Sequence, residues 1–143
     1  MFTTLGVLLL FILPLMAAEG TVAMHLFRKG LRLHDNPALK EAMTRGRRLY
    51  PVYVLEPGLE KRDIGINRYT HMLQTLEDLD CGLRRLGSRL FVLQGETLDQ
   101  LRQALLRWNV GLLTYEEDSE PSSRELELSI ASLAEVLYLQ SEE

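Results

Sequence analysis

Four short apolar runs, each followed by a segment with three- and four-residue apolar spacing, constrain this chain more than any other feature. Val22–Phe27, Arg48–Leu55, Arg89–Gln94 and Gly111–Tyr115 read as strands. After the first, Asn36 caps a helix with Pro37 at its first position, Leu39, Ala42 and Met43 on one face, and Gly46 closing it. After the second, Tyr69, Met72, Leu73, Leu76, Leu79, Leu83 and Leu86 form one stripe that ends at Gly87, with Asp80 and Arg84 paired at i,i+4. Thr97 with Gln100 makes a capping box for a helix carrying Leu98, Leu101, Leu105 and Trp108. Ser122 with Glu125 makes another, ahead of Leu126, Ile130, Leu133 and Leu137. Pro51 lacks a ladder donor, so pairing of the second strand is expected to begin after it.

Alternation of this kind predicts an α/β fold, a doubly wound parallel sheet with helices on both faces. The expected strand order is 3-2-1-4, with a fifth strand missing. That leaves the fourth strand an open, aggregation-prone edge. Residues 22–139 form the domain and 140–143 an acidic tail.

Residues 1–21 stand apart. Met1–Ala18 carries no charge, and Leu5–Leu15 is an eleven-residue, almost continuously apolar run. It is short for a membrane span of about 20 residues. With Met16-Ala17-Ala18 behind it, it fits a secretory signal that lacks a basic start, or an upstream extension of a cytosolic protein. Both readings place it outside the fold.

Charge is divided between the two ends of the domain. Met24–Tyr50 holds seven Lys or Arg and two Asp or Glu, a local +5; Thr114 to the end holds nine acids and Arg124 alone, a local −8. In the order 3-2-1-4 the first and fourth strands are neighbours at the point where the winding reverses, and ligands bind outside the carboxyl ends there. The loop after strand one carries Arg28, Lys29 and Arg32 beside a helix N-terminus, which favours anions. The loop after strand four is Glu116–Glu120. The two should face each other across one crevice, with Arg28 and Arg32 paired to Asp118 or Glu120.

Other chemistries find little support. There is no G-x-G-x-x-G after the first strand and no Walker-type phosphate loop. His25, His34 and His71 show no metal-ligand spacing, and Glu116–Glu120 reads as a solvated or Arg-paired run, so no metal site is expected. Cys81 reads as core filler. The basic loop has no interleaved aromatic to stack bases, so direct nucleic-acid contact is a minor reading.

Phe27-Arg-Lys-Gly-Leu-Arg-Leu-His-Asp-Asn-Pro-Ala-Leu39 closely resembles the N-terminal signature of the photolyase/cryptochrome family, in its animal cryptochrome and (6-4) photolyase branch. Matches continue in order through Pro51–Pro57, Gly65–Tyr69, Leu76–Asp80, Ser88–Val92 and Glu117–Pro121. The sequence departs from the family at Leu26, where tryptophan is usual, after Pro57, and past Leu133, where Val136–Leu139 stands in place of the fifth strand. The resemblance implies a Rossmann-like α/β module from a blue-light flavoprotein, either a DNA photolyase or a cryptochrome of light or clock signalling.

In that family the α/β module can hold an antenna pigment, a folate or a deazaflavin. By resemblance, Arg28 and Lys29 after strand one and Glu120 after strand four match the antenna-side loops. FAD, the electron-transfer tryptophans and the lesion pocket belong to a helical domain that these 143 residues are not expected to include. No catalytic residue is therefore assigned, and the chain is expected to be inactive alone. Its implied partners are that helical domain and clock or signalling proteins, with DNA reached only through a full-length member. A non-enzymatic module competing with a full-length cryptochrome, and a secreted or membrane-tethered α/β protein, are the alternatives. The family implies nucleus and cytoplasm; the signal-like leader conflicts with that.

Overall fold

In the computed structural model, described for residues 7–12, 21–58, 65–116, 118 and 120–141, nine elements alternate along the chain. They are β1 (Val7–Ile12), β2 (Val22–Phe27), α1 (Pro37–Arg45), β3 (Arg48–Leu55), α2 (Ile66–Arg85), β4 (Phe91–Gln94), α3 (Thr97–Arg107), β5 (Leu112–Glu116) and α4 (Pro121–Ser141). The sheet order is β1-β5-β2-β3-β4. Counted from Val22, its four parallel strands stand in the expected order 3-2-1-4.

The fifth position corrects the sequence reading. Val7–Ile12, inside the run set aside as a leader, pairs antiparallel with β5, from Val7 opposite Glu116 to Ile12 opposite Leu112. The position beside β5 is filled by a segment from before β2, so the edge of β5 is covered. The cause is local in character and remote in partner: an uncharged apolar run suits a strand covered on both faces, and both α1 and α4 approach β1. Residues 1–6 and 13–20 lie outside the described residues.

Side-chain alternation divides the core between the two faces. Met24, Leu26, Val52, Leu113 and Tyr115 pack with Leu101 and Leu105 of α3 and Ile130 of α4. On the other face Phe27 meets Leu39 of α1 and Leu76, Leu79 and Leu83 of α2, while Ala23 and Leu112 meet Ala42. Burial of this kind contributes roughly 25 cal/mol per Å² of apolar surface.

Local signals hold where the chemistry is specific. Asn36 Oδ1 accepts the Leu39 N–H at 3.1 Å, the expected cap of α1. Gly46 is required by close approach, because a Cβ there would collide with Ala23 and the Ala42 carbonyl. Gly87, at φ +83°, donates to Arg84 O while Ser88 donates to Leu83 O, a Schellman end for α2.

Other expectations shift. Met43 and Leu86 point outward, 58% and 71% exposed, and Leu73 is also exposed; the buried stripes are narrower than the apolar patterns. Cys81 is exposed rather than core filler. Pro51 lies within the ladder, level with His25, since β3 pairs with β2 from Arg48. It precedes Val52, where pairing with β4 begins, so β3 has one neighbour at that level and the missing donor is tolerated. The cap of α3 is Glu96, whose carboxylate accepts from Leu98 and Asp99 N–H, not Thr97. The Ser122 side chain lies outside the described residues.

Candidate functional site

The carboxyl ends of β2, β3 and β5 open on the crevice where the winding reverses. Phe27 ends β2 and Glu116 ends β5, so the loop at Arg28–Leu33 faces the turn into α4. Opposite charges do meet there, with partners other than those expected. Arg28 Nη1 donates to Glu127 Oε1 of α4 at 2.6 Å, in a pair almost withdrawn from water. The same Glu127 oxygen accepts the Asp118 N–H at 2.9 Å, so one carboxylate binds both loops. The guanidinium also lies 5.8 Å from the Tyr115 ring centroid.

Arg28 Nη1 donates to the Glu116 carbonyl at 3.4 Å, but Lys29, not Arg28 or Arg32, pairs with side chains of the acidic loop. Its Nζ lies 2.8 Å from both Asp118 Oδ2 and Glu120 Oε2. Asp118 is itself held by Ser123 Oγ–H at 2.7 Å and accepts the Glu120 N–H at 3.1 Å. Lys29 first, then Ser123 and the Glu120 N–H, hold its carboxyl well below the ordinary range, and Asp118 in turn raises Lys29. Arg32 is exposed, with no ion pair among the described residues. Glu117 and Ser119 lie outside them. Gly30 lies against the Glu116 carboxylate, the flexible end of that side chain.

Beneath this clasp lies a cavity of about 210 Å³ walled by Leu26, Phe27, Tyr53, Val54 and Leu126, with Arg28, Lys29, Glu56 and Thr97 at its polar side. Thr97 Oγ–H donates to Glu56 Oε1 at 2.6 Å. Tyr53 O–H donates to Met72 Sδ at 3.5 Å, and burial pushes its pKa up. Glu127 and Glu56 were not among the residues singled out from the sequence, and Thr97 was read there only as a helix cap. Glu127 could have been: it stands three residues before Ile130, on the stripe that α4 buries.

One further polar group is buried outside the crevice. His25 on β2 and Thr114 on β5 share a hydrogen bond, Nδ1 to Oγ1 at 2.9 Å, and the imidazole meets Phe27 edge-on at 4.6 Å. Burial lowers its pKa from 6.5 to about 3, so the ring is neutral. Among the described residues no group of three His, Cys, Asp or Glu could hold a metal, and no helix is long and apolar enough to cross a membrane.

A family model for DNA photolyase matches residues 23–142. The chain belongs to the photolyase/cryptochrome family. Cryptochrome-1 of Macaca fascicularis is 47% identical over 116 residues, which cover 80% of this chain and 20% of that protein. The chain thus spans about a fifth of the length of the curated relatives it matches. The Synechocystis cryptochrome structure matches with a TM-score of 0.75 at 22% identity, over 82% of this chain and 26% of that one. An archaeal photolyase from Sulfolobus tokodaii matches at 0.64 and 28% identity, over 80% and 27%. That structure holds two FAD molecules, described as implying a novel light-harvesting cofactor. The parallel sheet and its flanking helices are thus those of the photolyase N-terminal α/β domain.

An antenna pigment is the group the family would place on such a domain. The crevice as folded does not fit one whole. Its 210 Å³ lies below the roughly 300–1,000 Å³ of small-molecule pockets. Both cations that would meet an anionic pigment already hold carboxylates of α4 and its entry turn.

Proposed function

We propose that these residues work as the α/β half of a blue-light flavoprotein of the cryptochrome or photolyase type, by docking and scaffolding rather than by light chemistry of their own. The ion clasp supports this reading most directly. Arg28, Lys29, Asp118, Glu120 and Glu127 satisfy one another, so the crevice presents a braced surface in place of a waiting ligand site. A helical FAD domain is the natural partner within a full-length protein. Clock or signalling proteins are the partners proposed for a chain that competes with a full-length cryptochrome, in nucleus or cytoplasm.

An antenna role is the second reading, favoured by the apolar walls Leu26, Phe27, Tyr53, Val54 and Leu126. It requires the Lys29 contacts to open, leaving Arg28, Lys29 and Glu120 to line a widened crevice. Fluorescence titration of the purified chain with a reduced folate and with a deazaflavin separates the two. The docking reading expects no saturation up to about 100 μM, a Kd corresponding to roughly −5.5 kcal/mol. Saturable binding by the unaltered chain establishes the antenna reading instead. Light-driven repair of a damaged oligonucleotide by this chain alone would overturn both.

A further inference from the structure

The most exposed liability of a four-stranded parallel sheet of this order is the outer edge of β5. With β1 in place that strand is deeply buried: Leu112, Leu113, Thr114 and Tyr115 are all no more than 2% exposed. Its outer N–H and C=O groups need a partner that water cannot supply at such depth. Val7–Ile12 supplies it, in an antiparallel register with one irregularity between Leu9 and Phe11. Leu112 lies level with Ile12 on one side and Ala23 on the other, so β5 is inserted between two strands that follow each other in the chain. α1 and α4 both approach β1 and form the walls of the slot.

We propose that the outer edge of β5, between α1 and α4, is a strand-acceptor groove whose dedicated occupant is this chain's own Val7–Ile12. The segment is a self-complementing strand, held by main-chain hydrogen bonds and selected for an extended, uncharged, apolar six-residue stretch. It covers the edge that would otherwise template pairing with another chain. Because the contacts are main-chain pairing along β5, the same segment supplied as a separate peptide occupies the same edge, without the effective concentration that the covalent link provides.

The test uses the full chain with a specific protease site placed within residues 13–20, folded first and cut afterwards. The expected result is that the N-terminal peptide stays bound through gel filtration. A labelled synthetic peptide of residues 1–20 then replaces it saturably, and a Leu8→Pro/Leu9→Pro peptide does so at least about tenfold less well. Of two consecutive strand residues one aims its N–H at the neighbour, so the double substitution removes a ladder donor in either register. In the uncut chain the same substitutions should accelerate amide exchange in Leu112–Glu116 about tenfold or more, with Val52–Leu55 unchanged. Immediate loss of the cut peptide with unchanged β5 exchange, or equal binding of the proline peptide, would overturn the proposal.

Discussion

Arg28 and Lys29 are consecutive cations of one loop, and their carboxylate partners come from one turn and the helix behind it. Their surroundings differ sharply: the Arg28 side chain is 13% exposed and the Lys29 side chain 61%. A guanidinium is planar and weakly hydrated, so it tolerates the inner position and the approach to the Tyr115 ring. The ammonium of Lys29 remains in water and bridges two carboxylates at the rim. The inner pair therefore fixes how α4 sits on the sheet. The outer contacts join the two loops across the rim of the crevice.

Breaking the inner pair should have the largest effect. Glu127→Ala leaves Arg28 without its partner and removes the acceptor of the Asp118 N–H, at a cost of ~3–5 kcal/mol by denaturant unfolding. Adding Arg28→Met to Glu127→Leu should recover much of the loss relative to Glu127→Leu alone, since an uncompensated buried charge is the main penalty. Additive losses in that cycle would mean that the two side chains act independently.

His25 tests whether burial alone, without an ion partner, sets an energy of this order. Its pKa is lowered in the folded chain, so stability is full above 6.5 and falls as pH drops toward 3. At pH 5 the loss is about 2 kcal/mol relative to pH 7. His25→Asn should flatten that slope between pH 6.5 and 5, whatever it does to stability at pH 7.

Loosening the outer contacts should matter least for stability. Lys29→Ala is expected to shift the melting temperature far less than Glu127→Ala, and the shift should vanish near 1 M salt, where the Debye length is about 3 Å. The Asp118 carboxyl is depressed, so its contribution is present above 3.8 and lost as pH falls below it. Lys29→Ala should instead enhance any pigment uptake by the crevice, which Glu127→Ala should not do without unfolding α4.

Much of this arrangement could be read before the fold was known. The parallel strand order follows from apolar runs alternating with helical stripes, each a local pattern. That strand order placed the basic and acidic loops at one crevice, and their opposite net signs agree with it. Which cation meets which acid was not legible: Lys29 rather than Arg32 faces Asp118, and Glu127 sits in the second turn of α4. Those outcomes depend on side-chain reach and on the tilt of α4. That Val7–Ile12 joins the sheet was not legible for a related reason. Eleven apolar residues look alike whether destined for a translocon or a sheet, and the deciding partner, β5, lies about a hundred residues away.

That separation sets a timetable. Val7–Ile12 is synthesised before the four parallel strands and pairs with the last of them. At about 5–20 residues per second, the hundred residues from Ile12 to Leu112 take roughly 5–20 s to appear. For that interval the most apolar stretch of the chain lacks its β5 partner. Whatever captures it in those seconds, a chaperone or a targeting factor, competes with the completion of the sheet.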